Sequence, residues 1–232
     1  MDVLCLRTVP MRAILKRVPF LVQAVRAVRR LYAEVFTQRV FTTIYRENQW
    51  DDADSRSGSG STLVATARLR VVLPEILREH GIRTMLDVPC GDFHWMRTVD
   101  IGGVDYIGAD IVPEVIAANQ ARWAQPGRRF MVLDASRDPI PRADLILCRD
   151  LFIHLSFARI HRVLQAFRAS GATWLAASTY ASCPTNEDVR TGSYREVNLQ
   201  AAPFLFPVPT LLLPEDDLTG HAAKSLGLWR LP

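Results

Sequence analysis

The sequence predicts an α/β fold: a mainly parallel sheet, doubly wound, with helices on both faces. Three observations carry this. From Ile82 onward, short apolar runs alternate with stretches of helical periodicity. Several of those runs end in an acidic residue followed by a turn. After Tyr180 the alternation stops, and two further apolar runs follow with no helical pattern between them, as an antiparallel pair closing the sheet requires.

The elements follow in order. Residues 11–36 carry an apolar stripe at helical spacing, including Met11, Ile14, Val18, Val25, Val28, Tyr32 and Val35, with arginines on the other face. Pro19 divides or kinks it. The stretch DDADSRSGSGST, Asp51–Thr62, is polar and glycine-rich, hence a loop. Ser61 or Thr62 is expected to cap a helix running to about Arg78, bent near Pro74. Strands are expected near 83–88, 105–110, 129–134, 144–148 and 173–179. Helices are expected over 92–98, 113–123 and 156–170. The runs PFLFPVPTLLLPE and GLWRL supply the last two strands.

Composition narrows the class. A chain of 232 residues, 49% of them apolar, suits one domain with an appendage. No uncharged apolar run reaches the length of a membrane span. Arg7, Arg12, Lys16 and Arg17 interrupt the first apolar stretch, so it does not read as a signal peptide. Four widely spaced cysteines argue for a reducing, cytoplasmic setting and against zinc. The histidines form no HxxxH pair, and no metal site is expected.

Charge is uneven. Residues 1–46 hold nine Lys/Arg against Asp2 and Glu34, a local +7, so the rest of this +4 chain is −3. The basic character belongs to the N-terminal segment, and no nucleic-acid-binding core is indicated. The stripe over 11–36 fits a basic amphipathic helix on an anionic membrane surface. It equally fits a helix packed on its own domain or a partner chain. The second reading is preferred here, since apolar helical stripes are usually core.

In doubly wound sheets the ligand lies beyond the C-terminal strand ends. The first strand ends in LDVPCGDFHWM, which places Asp87, Pro89, Cys90, Gly91 and Asp92 there. Gly91 would let the backbone approach a ligand closely, and a following helix would offer free N–H groups to a carboxylate. Asp110 ends the second strand, suited to the two hydroxyls of a ribose. Asp134 ends the third, suited to an exocyclic adenine amine. Singly, each acid reads as a cap or turn residue. Together they describe S-adenosylmethionine: a carboxylate for an amine, one for a ribose and one for an adenine. A nicotinamide dinucleotide shares the ribose spacing, but its diphosphate would be repelled by Asp87 and Asp92.

These residues carry a resemblance. LDVPCGDFHWM, YIGADI and FMVLDAS resemble the first three motifs of class I S-adenosylmethionine-dependent methyltransferases, with Pro89 and Phe93 where glycine is usual. IYRENQW, SGSGST, RDLFIHLS and GSYREVNLQAAPFLFPVP resemble a bacterial subgroup of mostly uncharacterised members. The resemblance covers about residues 41–232, leaving 1–40 as an amphipathic, basic helical extension. It implies a Rossmann-like sheet of seven strands, the last antiparallel. It also implies that Asp87 and Gly91, with Pro89, Cys90 and Asp92, line the methionine end. Asp110 and Ile111 would meet the ribose, and Asp134 with Ala135 the adenine. SGSGST would fold over the cofactor, Ser59 and Ser61 reaching the methionine carboxylate; the same stretch also reads as a flexible linker.

Methyl transfer to a hydroxyl needs alignment and a base. The fourth strand ends at CRDLFIHLS, facing the transferring methyl in this fold. His154 is the candidate base, Asp150 its orienting partner or an acceptor ligand, and Arg149 an anchor for an anionic group. His154 as a packing residue, and Asp150 tied to Arg149 by a salt bridge, are the structural alternatives. The polar stretch after Thr179 supplies Tyr180, Asn186, Tyr194, Arg195 and Asn198 as acceptor contacts. The expected activity is methylation of a small-molecule or sugar hydroxyl, or an amine. The alternatives are a nicotinamide-dependent oxidoreductase and a non-catalytic cofactor-binding protein docked on a membrane.

Overall fold

The computed structural model describes residues 19–215 and 224–232. Seven strands are described: β1 Thr84–Asp87, β2 Asp105–Asp110, β3 Arg128–Val132, β4 Leu145–Cys148, β5 Trp174–Thr179, β6 Leu211–Pro214 and β7 Ser225–Arg230. They form one sheet in the order β3-β2-β1-β4-β5-β7-β6. β1 to β5 pair in parallel, with Leu86 opposite Ile107 on one side and Ile146 on the other. β7 runs antiparallel to both neighbours, inserted between β5 and β6. A dinucleotide-binding sheet of order 3-2-1-4-5-6 shares the first five positions and lacks this antiparallel insertion.

Strand side chains alternate between faces, so a sheet covered on both sides needs two cores. Leu86, Ile107, Ile146 and Leu175 join one core. It is covered by α2 (Thr37–Arg46) through Phe41 and Ile44, and by α5 (Phe157–Ala169) through Ile160, Val163 and Phe167. Met85, Tyr106, Leu145, Leu147 and Ala176 join the other, under Leu69, Leu73, Ile76 and Leu77 of α3 (Ala67–Glu79). α4, Pro113–Trp123, connects β2 to β3 and contributes Val115 to the first core and Ile116 to the second.

Three expectations need correction. No α-helix follows β1: the chain makes irregular turns from Pro89 and a single 3₁₀ turn at Met96–Thr98. Phe93 explains why. Its φ is +60°, and its buried ring packs against Tyr106 at 5.1–5.2 Å, as it does against Phe130. Burying this aromatic cluster outweighs helix continuity and holds a non-glycine residue in left-handed backbone. The Thr62 helix begins later, at Ala67, because Thr62 spends its hydroxyl on the preceding turn, accepting from the Ala65 N–H and donating to Ser59.

The third correction concerns the N-terminal stripe. Its part before Pro19 lies outside the described residues. α1, Pro19–Val35, turns its polar edge toward the domain: Glu34 pairs with Arg159 and Arg162, and Arg30 with Asp188. Val28 and Leu31 stay about two-thirds exposed. In the described part these apolar side chains do not pack on their own domain, which leaves the partner-chain form of the reading untouched.

Truncating Phe93 tests the aromatic anchor. Phe93→Ala is expected to cost about 3–5 kcal/mol in urea unfolding through the cavity it leaves. Phe93→Gly removes one more atom yet is expected to be no less stable than Phe93→Ala, because it relieves the left-handed backbone.

Candidate active site

The site begins with Asp110. At the tip of β2 its Oδ2 accepts from the Gly91 N–H (3.1 Å) and its Oδ1 from the Val112 N–H (2.9 Å). One carboxylate thus ties the turn after β1 to the turn after β2. Burial pushes this carboxyl up to about 6, against the pull of those backbone donors. Asp87, at the tip of β1, is 2% exposed and accepts from the Tyr106 hydroxyl at 2.6 Å. That is its only side-chain hydrogen bond among the described residues. Burial pushes it up to about 7, and the negative charge of Asp110 adds to the shift.

Asp87, Pro89, Cys90, Gly91, Asp110 and Ile111 line one cavity. Phe41, Tyr45, Trp50, Ser57, Ser61, Trp95 and Leu151 complete its walls, and His154 and Asp150 stand at its far end. Beside it, Asp110 and Ile111 also line a smaller pocket that contains Asp134, Ala135 and Leu133. The three strand-tip acids therefore border two abutting cavities. Asp134 is not free: it accepts from Ser136 (2.7 Å), and buried Arg159 stands 3.4 Å away.

A roof crosses the β1 turn. Asp92 does not line the cavity; its carboxylate accepts from the Ser55 hydroxyl (2.9 Å) and the Arg56 N–H (2.9 Å). Its own N–H donates to Ser57 Oγ at 2.9 Å. A Cβ on Gly91 would stand 2.2 Å from that Oγ, and Gly91 has φ +53°. Glycine is needed here for the approach of the Ser57 hydroxyl. The sequence-based account, an approach by ligand, named the right position for a different contact.

A second cavity opens beyond the first and shares Trp50, Ser57, Arg149, Asp150 and His154 with it. Its other walls include Ser59, Gly60, Val64, Ile153, Tyr180, Tyr194, Glu215 and Lys224. Tyr180 and Tyr194 share a hydrogen bond. His154 Nδ1 lies 3.0 Å from the Ser193 carbonyl oxygen. A carbonyl only accepts, so Nδ1 carries the proton, and the neutral ring keeps a lone pair on Nε2. Burial holds the imidazole below its ordinary pKa and so neutral. Trp50 and Tyr194 flank the ring at 5.5 and 6.1 Å.

Asp150 does not orient His154. It is left-handed (φ +58°) and sits in a four-membered charge cluster. Lys224 Nζ is 2.6 Å from its Oδ2, Arg149 is 3.1 Å away, and Ser178 donates to it at 3.0 Å. Glu215 closes the cluster, bound twice by the Arg149 guanidinium and 3.2 Å from Lys224. Although burial opposes it, Lys224 and Arg149 hold the Asp150 carboxyl well below the usual range. Gly60 fits against this cluster because a Cβ there would lie 2.8 Å from Asp150 Oδ2. Arg149 is thus spent on Glu215, and its expected freedom to hold an anionic group is absent.

Three expected acceptor contacts lie outside both cavities. Asn186 and Asn198 knit the loop to itself: Asn186 donates to the Asn198 carbonyl (2.8 Å), and Asn198 to that of Cys183 (2.8 Å). Arg195 donates to the carbonyls of Phe152 and Leu155 at 2.6 and 2.7 Å. The two asparagines thus satisfy backbone of the helix-free loop, and Arg195 ties that loop to the turn after β4. Sequence reasoning missed Phe41, Tyr45, Trp50, Glu215 and Lys224. Tyr45 and Trp50 lay in a stretch, IYRENQW, already noted without a role.

If the cluster is structural, Glu215→Gln leaves Arg149 and Lys224 facing Asp150 alone. A loss of about 3 kcal/mol in chemical denaturation is expected.

No family model matches the chain, and no curated protein does. Solved structures do. The chain is similar to a 1,6-didemethyltoxoflavin-N1-methyltransferase from Burkholderia thailandensis (18% identity, TM-score 0.61), over 87% of this chain and 89% of that one. It is similar to magnesium protoporphyrin IX methyltransferase from Synechocystis PCC 6803 (12%, 0.60), over 86% and 100%. It is also similar to the N-methyltransferase NodS from Bradyrhizobium japonicum WM9 (14%, 0.58), over 81% and 98%. Those three structures carry S-adenosylhomocysteine. At these identities the likeness is one of fold: the chain has the fold of class I methyltransferases.

Proposed function

We propose that the chain is an S-adenosylmethionine-dependent methyltransferase acting on an uncharged small-molecule or sugar hydroxyl. One observation carries the reading. Asp87 is a buried carboxylate at the wall of a cavity, its single hydrogen bond coming from a neutral hydroxyl. Burial of that kind is costly unless a cation arrives. The bound cofactor's ammonium group suits Asp87, its ribose suits Asp110, and its adenine suits the pocket of Leu133, Asp134 and Ala135. A diphosphate in the same cavity would face Asp87, which counts against a nicotinamide dinucleotide. The cofactor supplies a methyl group already activated on a sulfonium.

The chain's own residues then have two tasks. The second cavity receives the acceptor between Trp50, Tyr180 and Tyr194. Its charges, Arg149, Lys224, Asp150 and Glu215, are already paired with one another, which favours an acceptor without net charge. His154 stands in the walls of both cavities, with Nδ1–H held by Ser193 and Nε2 without a hydrogen-bond partner among the described residues. Nε2 would take the proton from the acceptor hydroxyl as its oxygen bonds to the methyl carbon, the carbon–sulfur bond of the sulfonium breaking to leave a neutral thioether. Asp150 supports this only through the charge cluster.

Calorimetry and methyl-transfer assays test the reading. Asp110→Ala is expected to weaken S-adenosylhomocysteine binding at least tenfold while leaving the fold intact. His154→Ala is expected to lower methyl transfer by about 10²–10⁴ and leave cofactor affinity unchanged, in the range of a lost general base. Unchanged turnover of His154→Ala would remove the base assignment.

Binding should also depend on pH. The Asp87 carboxyl, raised to about 7 by burial, must be ionised to pair with an ammonium group. Binding therefore releases a proton below that value, and affinity should fall about tenfold per pH unit there and level off above it. An Asp87→Asn variant should bind weakly and lose this pH dependence. A flat profile for the parent chain would count against Asp87 as the ammonium partner.

A further inference from the structure

α1 is amphipathic in an unusual sense: its polar edge faces its own domain and its apolar edge faces out. Arg30, Glu34 and Thr37 lie three or four residues apart, on one edge of the helix and the start of the next. Arg30 pairs with Asp188 at 3.0 Å. Glu34 pairs with Arg159 and Arg162 and accepts from Ser156 (2.6 Å) and Thr191 (2.9 Å). Thr37 is buried and donates to the Ala33 carbonyl at 2.8 Å. The helix is thereby fixed in rotation. On the outer edge, Val28 (67% exposed), Leu31 (65%), Tyr32 (48%), Val35 (46%) and Phe36 (39%) stand in solvent side by side. Isolated exposed apolar residues are ordinary; a contiguous row on a clamped helix marks a contact surface.

The charges beside that row select the occupant. Arg29 lies between Val25 and Tyr32 on the helix surface, and the Arg39 guanidinium lies 5.1 Å over the Phe36 ring. Neither has an ion-pair partner among the described residues. Both belong to the local charge of +7 over residues 1–46. A second copy docked through the same face would bring these arginines against themselves, since a two-fold interface meets its own image. Anionic lipid satisfies both features: headgroups neutralise the arginines, and the apolar row enters the acyl boundary.

We propose that the outer face of α1 is a membrane-docking surface for anionic bilayers, holding the enzyme domain at the lipid surface without spanning it. Among the described residues no helix is long and apolar enough to cross a membrane.

Co-sedimentation of the full chain with vesicles tests this. One set is phosphatidylcholine alone; the other is phosphatidylcholine mixed with phosphatidylglycerol. Binding is expected to the anionic vesicles only and to weaken as salt is raised. Arg29→Ala and Arg39→Ala should each lower partitioning about fivefold. The exposed pair Val28→Asp with Leu31→Asp should lower it at least tenfold without changing the thermal unfolding midpoint or cofactor binding. No binding to anionic vesicles, or equal binding by the Asp pair, overturns the proposal. A parent chain that is dimeric without lipid, made monomeric by Leu31→Asp, overturns it in favour of a second copy.

Discussion

The Asp110 carboxylate is the constraint on which the site rests. It accepts from Gly91 on one side and Val112 on the other, so two turns from adjacent parallel strands share one anchor. Parallel strands bring their C-terminal ends to one edge of the sheet, but they do not fix how the connecting turns lie over it. A buried carboxylate with two backbone donors does. The same bonds draw Asp110 to the cavity wall, where its remaining lone pairs face whatever enters. The lie of both turns over the sheet edge thus depends on one side chain.

The roof depends on a second acid used in the opposite way. Asp92 faces away from the cavity and fastens the Ser55–Ser57 segment across the Gly91 turn. The segment then runs over Gly60 onto the Asp150 cluster, so its two close approaches sit at two glycine positions, 91 and 60. Trp50 and Ser57 belong to the walls of both cavities. The seam between cofactor side and acceptor side is built partly from chain that precedes the sheet in sequence.

Much of this was legible in the sequence, and the reasons are local. Five of the strands and α4 follow from apolar periodicity bounded by turn residues, and each lies within a residue or two of its expected place. The position of Asp87, Asp110 and Asp134 at cavity walls was legible because a parallel sheet brings the ends of its strands to one edge. What failed depended on long-range contacts. The helix expected after Gly91 was displaced by an aromatic cluster joining Phe93 to Tyr106 and Phe130, two strands away. The Arg149–Asp150 salt bridge was legible as one of two alternatives because the residues are adjacent, whereas Glu215, the other partner of Arg149, lies 66 residues on. Asn186, Asn198 and Arg195 looked like ligand contacts because a polar loop says nothing about whether its side chains serve a substrate or its own backbone. The apolar stripe of α1 reads as packed on its own domain or on a partner chain, and ion pairs to Arg159, Arg162 and Asp188 turn its described part away from the domain.

The two halves of the proposed site differ most in how they treat negative charge. Asp150 is saturated by Lys224, Arg149 and Ser178, which hold its carboxyl in the ionised form. Asp87 has a lone hydroxyl partner, and burial weakens its hold on that charge. A carboxylate already paired attracts little, whereas one left unpaired gains most from an incoming cation. On the proposed function these electrostatics would sort two substrates by charge: a cation-bearing cofactor would be drawn to the Asp87 side, and the internally neutral acceptor side would select by its aromatic walls. His154, kept neutral by the same burial, stands where the two meet and needs no charged partner to remain a base at neutral pH.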